Sequence, residues 1–226
     1  MAPRAIISYD GTPSDHDALT LGRVFADAGA ELLLAYVQHT AVVEPTAGEE
    51  DDAQALLGRG ARLLGHFEAQ RRVVVNASTA AGLERLAWQE DAELIVFGSD
   101  YRTPAGHVAP QKTTQLLLEG ASVAIAIAPA KYLSERAWMF GRIGVMASAD
   151  DGAALATARD LAGRVGARVT DDEPYVDLLV IGSRAEAPLG RVMLSSAAHN
   201  AVEEAVHPVL VLPRGVALRF PLALPA

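Results

Sequence analysis

The sequence contains no cysteine, which removes disulfides, thiolate catalysis and sulfur-ligated zinc or iron–sulfur centres from consideration. It also lacks a basic surplus. Against 28 acidic residues stand 19 Lys and Arg, a net charge of −9, so no cation excess exists to neutralise nucleic acid or anionic lipid, and neither partner is expected. No apolar run is long enough to cross a bilayer. The longest, Ala121 to Ala130, reads as a buried strand, which makes a cytoplasmic location the default. The six histidines show no metal-ligand spacing: Asp15-His16-Asp17 is a polar helix start and His107 a loop residue. No Gly-x-Ser-x-Gly elbow surrounds Ser195 or Ser196, and His199 falls on the same predicted helix, which argues against a serine hydrolase.

What the chain does contain is a partial copy of itself. Leu94 to Ala130 returns without a gap at Leu178 to Arg214, 84 positions later. Val96-Phe97-Gly98-Ser99 answers Val180-Ile181-Gly182-Ser183, Pro104 and Gly106 answer Pro188 and Gly190, and Pro129 answers Pro213. The head of the chain recurs at a larger offset, Ala18-Leu19 with Arg23 and Ala26 matching Ala154-Leu155 with Arg159 and Ala162. The second unit is therefore shorter than the first by about 52 residues.

Apolar runs alternate with helical periodicity. Ala5 to Tyr9 is a strand ended by Asp10-Gly11-Thr12-Pro13, and Ser14 is expected to cap a helix whose Ala18, Leu21, Phe25 and Ala28 share a face. Strands follow at Leu32 to Val37, Arg72 to Val75 and Leu94 to Phe97, with helices at Glu49 to Gln70 and Thr79 to Gln89. The second unit runs from a strand at Ile143 to Ala147, through a helix at Gly152 to Val165 and Ala167-Arg168-Val169, directly to Leu178 to Ile181. The fold class is α/β: open parallel-sheet, Rossmann-like units in tandem, with both sheet faces covered. Residues 1–130 form a complete unit, 131–141 a linker and 142–226 a shortened unit without the middle helix, strand and helix. Trp138, Met139 and Phe140 are expected to pack between the units. Residues 40–52, with Pro45, Gly48 and Glu49-Glu50-Asp51-Asp52, read as a solvated loop and a helix N-terminus.

In an open parallel sheet, ligands sit beyond the carboxyl ends of the strands. Two loops point there, Asp10 to Pro13 and the segment from Gly98-Ser99 to Pro110. Tyr9-Asp10-Gly11-Thr12 after the first strand, Gly-Ser after the fourth, and a strand-plus-proline finish together resemble the universal stress protein family, in a tandem form; the related group is that of the adenine nucleotide α hydrolases. The resemblance implies a noncatalytic stress-response protein that acts by ligand sensing or by binding a protein partner, with ATP in the first unit as the candidate cofactor. ATP-binding members carry Gly, two residues, Gly, nine residues, then Gly with Ser or Thr. Here Gly98 supplies the first glycine, while Tyr101 and Gln111-Lys112 stand at the later positions. By the same resemblance Asp10, with Gly11 and Thr12, meets the nucleoside end, the backbone of Val37 meets adenine, and Gly98 and Ser99 belong to the phosphate end. In the second unit Gly182 keeps the first glycine, Ala185 and Ser195-Ser196 replace the others, and Ser148 stands where the aspartate belongs. The resemblance further implies pairing through the last strands, Val123 to Ile127 with Val209 to Leu212, as an internal pseudo-dimer that leaves room for further homo-oligomers. An ATP-hydrolysing enzyme using the first pocket is the competing reading, although Asp-Gly-Thr-Pro does not match the phosphate loop of the pyrophosphatase members.

Gly106 to Thr113 falls one residue short of a Gly-x4-Gly-Lys-Thr phosphate loop, Gln111 replacing the second glycine. Gly106 lies too far beyond its strand for that loop, which leaves Lys112 as an anion contact. Thr113, Thr114, Ser195 and Ser196 read as helix caps, and Asp150-Asp151 as a cap in preference to a phosphoacceptor pair.

Overall fold

A computed structural model of the chain describes residues 2–39, 47–66, 69–132, 140–147, 151–170 and 176–220. The chain begins β1 (Arg4–Ser8), α1 (Pro13–Asp27), β2 (Glu31–Gln38), α2 (Ala47–Leu64), β3 (Gln70–Val75), α3 (Thr79–Gln89), β4 (Leu94–Gly98), α4 (Lys112–Leu118) and β5 (Ala124–Ala128). It continues β6 (Arg142–Met146), α5 (Ala153–Val165), β7 (Arg168–Thr170), β8 (Leu178–Gly182), α6 (Ser196–Glu204) and β9 (Val209–Leu212). All nine strands join one sheet in the order β3-β2-β1-β4-β5-β9-β8-β6-β7. Pairing is parallel within each block, β3 to β5 and β9 to β7.

The central strands are apolar without alternation because both faces are covered. The strands β4, β5, β8 and β9 are buried along their whole length. One face takes α1, α2 and α5 through Leu21, Phe25, Leu57, Leu64 and Leu161. The other takes α3, α4 and α6 through Leu83, Leu117 and Val202.

Local chemistry sets several element ends where the sequence suggested others. Thr12, not Ser14, is the N-cap of α1, because Pro13 takes the first helical position, where a missing N–H is tolerated. The second helix stops at Leu64 and does not reach Gln70: Gly65 follows with φ +75, a left-handed conformation that ends a helix. The cap of α4 is Gln111, and Thr114 lies inside the helix, fully buried, with a hydroxyl that has no hydrogen-bond partner. Ser195 does cap α6, its Oγ accepting from the Ala198 N–H at 3.2 Å. Residues Glu49 to Asp52 lie inside α2 and are exposed, whereas Pro45 is outside the described residues.

The two blocks meet at β5 and β9, which pair antiparallel: Ile125 with Val211, Ala126 with Leu210, Ile127 with Val209. Each pair joins repeat counterparts in exchanged order, as a two-fold axis through Ala126 and Leu210 requires. Two backbone bonds obey the same axis. Val108 N–H donates to Ala205 O at 2.9 Å, and its counterpart Val192 N–H donates to Ala121 O, the counterpart of Ala205, at 2.8 Å. Among the described residues, the second block has no equivalent of α2, β3 and α3. Instead the segment after β9 runs along α5. Gly215, Leu218 and Phe220 donate their N–H groups to Asp151, Thr157 and Asp160 in turn. Phe220 stacks on Phe25 of α1 with centroids 6.3 Å apart. Phe140 is buried in the same core, while Trp138 and Met139 lie outside the described residues.

Candidate functional site

From β1 the chain moves to β2 on one side, whereas β4 leads to β5 on the other, so the loops after β1 and β4 diverge above the sheet. Such a reversal of strand order opens a crevice. The loop after β1 is shaped by Gly11, whose φ of +83 suits glycine and where an added Cβ would lie 2.7 Å from Leu56 Cδ1. It presents the exposed Asp10, whose Oδ1 accepts from the Thr12 N–H at 3.2 Å. Across the crevice Gly98 ends β4 flush against α1, and a Cβ there would collide with the Ser14 carbonyl oxygen. The loop after β1 and Gly98 thus meet at Ser14, which packs on Gly98 and lies 3.2 Å from the Thr12 hydroxyl. Val37 sits near the end of β2, its side chain buried against α3 at Gly82. Beside it the buried Oε1 of Gln38 has no hydrogen-bond partner.

Beneath Asp10 lies a residue that by sequence reads as a polar group at a helix start. Asp15 is buried, and its Oδ2 accepts from the N–H groups of Asp10 at 2.8 Å and Thr12 at 2.9 Å. Burial, reinforced by the neighbouring Asp10 carboxylate, pushes its pKa up to about 7, against the pull of those two donors. A signal was present: Thr12-Pro13-Ser14-Asp15 has the spacing of a capping box, with Asp in the place of Glu. Asp17 is also buried and accepts from the N–H groups of Lys131 and Tyr132 at 2.9 and 2.7 Å. No local pattern announces that contact, because its partners lie more than a hundred positions away.

Ser99 is turned away from the crevice. Fully buried, its Oγ donates to Ala128 O at 2.7 Å and accepts from the Ala109 N–H at 3.0 Å. It fixes the loop and leaves no hydroxyl for a phosphate. Gly106 belongs to the same construction: its φ is +83 and its N–H donates to Ala130 O at 2.8 Å. The N–H groups of His107 and Val108 are bonded too, to Pro104 O and Ala205 O. With the N–H groups of residues 106–109 engaged and none on Pro110, the segment does not form a phosphate-cradling nest. The side chain of Gln111 reaches back to Gly98 O at 3.4 Å. Lys112 stands exposed at the start of α4, and Tyr101, at the second glycine position, is exposed with Arg102 over its ring. A cavity of about 350 Å3 opens next to the crevice, between the start of α1, Tyr101 and Tyr132.

In the second block Ser183 makes the bonds that Ser99 makes, to Leu212 O at 2.7 Å and from the Met193 N–H at 3.1 Å. Gly182 is less crowded than Gly98, since its added Cβ would meet Ala147 Cβ at 3.3 Å. Asp151 is buried and bonded to the N–H groups of Ala153 and Gly215, while Ser148 and Asp150 lie outside the described residues. Among the described residues no group of His, Asp and Glu could hold a metal ion, and no helix is long and apolar enough to cross a membrane.

No protein-family model matches the sequence, and no curated protein matches it. Solved structures do. A universal stress protein from Archaeoglobus fulgidus superposes with a TM-score of 0.70, at 13% identity, over 94% of this chain and 98% of its own. A functionally unknown protein from Pseudomonas aeruginosa PAO1 gives 0.64, at 15% identity, over 95% and 93%. A universal stress protein in complex with cAMP reaches only 0.37, at 22% identity over 42% of this chain, too loose a likeness to transfer a ligand. The continuous α/β sheet, matched almost end to end, is the fold of the universal stress proteins, and this chain has it.

Proposed function

We propose that the chain is a noncatalytic stress-response protein of the cytoplasm that senses the nucleoside end of an adenine nucleotide in the β1–β4 crevice and passes that state to a protein partner. The observation that carries this reading is the contrast between the two ends of the crevice. At one end Asp10 is exposed on the Gly11 turn, close to the end of β4. At the other, the N–H groups of residues 106–109 are bonded within the protein, and Gln111 covers Gly98 O. The residues therefore fit adenosine and not a triphosphate. Asp10, Gly11 and Thr12 would hold the ribose, and the backbone of Val37 would meet the base. Lys112 is the remaining cation for a single phosphate.

In this reading none of the serines near the crevice or its counterpart acts as a nucleophile. Ser99 and Ser183 are buried with both hydrogen-bonding roles filled, and Ser195 caps α6. We read residues 1–130 as a complete unit and 142–226 as a shortened one, forming an internal pseudo-dimer. The counterpart bonds across the seam support that division.

Titration calorimetry with adenosine, AMP and ATP, joined to a phosphate-release assay, tests the proposal. AMP should bind at least as tightly as adenosine, by the Lys112 contact to its single phosphate, with no release from ATP. Binding of ATP far tighter than adenosine, with turnover, would favour the hydrolase; no binding of any of the three would favour a pure interaction module.

A further inference from the structure

A cavity of about 400 Å3 lies between α4 and α6, on the internal two-fold and away from the Asp10 crevice. Its apolar surface comes in counterpart pairs, Pro110 with Leu194 and Leu118 with Val202, one member from each copy. The exchanged bonds Val108 to Ala205 and Val192 to Ala121 tie the segment leading into each helix to the end of the other helix. The cavity thus follows from how the two copies join.

Its wall breaks the symmetry. Where the first copy has Asp100 and Ala109, the second has Arg184 and Met193, and these two line the cavity. Asp100 is engaged in its own turn, accepting from the Arg102 N–H at 2.8 Å. Arg184 makes no ion pair among the described residues; its side-chain contact is the Met193 thioether, Nη2 to Sδ 3.9 Å, a weak acceptor. Of the two wall carboxylates, Glu203 is held by His199 at 3.2 Å, and Glu119 stands at the rim.

A guanidinium without a carboxylate, in a cleft that also carries the apolar side chains of Pro110, Leu118, Leu194 and Val202, matches a planar anion that carries an apolar body. We propose that this cleft binds a small monocarboxylic acid with an aliphatic chain, the carboxylate on Arg184 and the chain over Leu118, Val202 and Leu194. Glu119 and Glu203, also in the wall, disfavour a second acid group. The volume suits a ligand near the lower limit of small-molecule sites, roughly 300 Å3 upward.

Calorimetric titration of the full chain with octanoate and with octylamine decides it. Octanoate should bind once per chain and octylamine should not compete. Arg184→Met, which keeps the stem and removes the charge, should weaken octanoate about tenfold or more. Leu194→Trp, which fills the cleft from its partly exposed side, should abolish binding; thermal midpoints identify any variant that fails to fold. Unchanged octanoate affinity in Arg184→Met, octylamine binding as tightly as octanoate, or no octanoate binding to the parent chain up to about 10 mM would overturn the proposal. Neither substitution touches the Asp10 loop, so the result is independent of the nucleotide reading.

Discussion

Ala126 and Leu210 occupy the same position in the two copies of the repeat and face each other across the antiparallel seam, both fully buried. An edge strand left open invites association with other chains; here each copy closes the other's edge. The seam is then part of one core, and the two blocks are expected to unfold together. Leu210→Ala should cost about 2–5 kcal/mol, the usual range for a buried leucine. Denaturant unfolding followed by circular dichroism and by tryptophan fluorescence should still give coincident transitions. Two separated transitions would show that the blocks fold independently.

Asp15 supplies a pH dependence whose sign is fixed by its environment. Its pKa rises on folding from an ordinary 3.8 to about 7, so between those values the folded chain binds a proton that the unfolded chain has released. Stability from this group is therefore present below about pH 4 and lost as pH rises through 7. Asp15→Asn, which mimics the protonated acid and keeps an acceptor for the Asp10 and Thr12 N–H groups, should flatten that slope. At pH 8 the variant should be the more stable by on the order of 2 kcal/mol. Thermal midpoints from pH 4 to 8 check this; parallel curves for the two proteins would refute it.

The hydroxyls of Ser99 and Ser183 are structural by their bonds. Removing either leaves a backbone N–H, of Ala109 or Met193, without its acceptor. Ser99→Ala and Ser183→Ala should each lower stability by about 1–3 kcal/mol. Adenosine affinity should be nearly unchanged in both. A large affinity loss in Ser99→Ala alone, at unchanged stability, would place that hydroxyl on the ligand.

The sheet was legible because its signals are local: uninterrupted apolar strands such as Leu94 to Phe97 and Val209 to Leu212, and helices with one apolar face. The strands expected to meet, β5 and β9, do so. The site was less legible. Ser99 and Gly106 fit a phosphate motif by type, yet their polar groups are satisfied by Ala128, Ala109 and Ala130, contacts that appear only once the loop folds back on β5. Asp17 binds the chain after β5 and Phe220 stacks on Phe25, and neither partner lies within reach of a periodicity argument. The end of α2 differs for a simpler reason: the helical pattern runs on past Leu64, but the left-handed Gly65 ends the helix.

Gly98 and Gly182 are repeat counterparts whose surroundings differ, and the difference separates the two blocks in packing. A methyl group at Gly98 collides with the Ser14 carbonyl, a backbone atom that cannot move alone, whereas at Gly182 it meets two alanines, the nearest carbon at 3.3 Å. Gly98→Ala should therefore destabilise the fold by several times more than Gly182→Ala, read from urea midpoints. Among the described residues, the first block has an exposed aspartate, Asp10, on a glycine turn that leads into α1, and the second has none at the matching loop. Under the proposed function a chain should bind at most one adenosine. Asp10→Ala should weaken it by about 0.5–3 kcal/mol, depending on whether the charge takes part in the bond, and Gly182→Ala should leave affinity unchanged. Two equal sites in calorimetry, or a loss with Gly182→Ala and none with Asp10→Ala, would move the sensing site to the second block, where the chain after β9 runs along α5 with Gly215 bonded to Asp151.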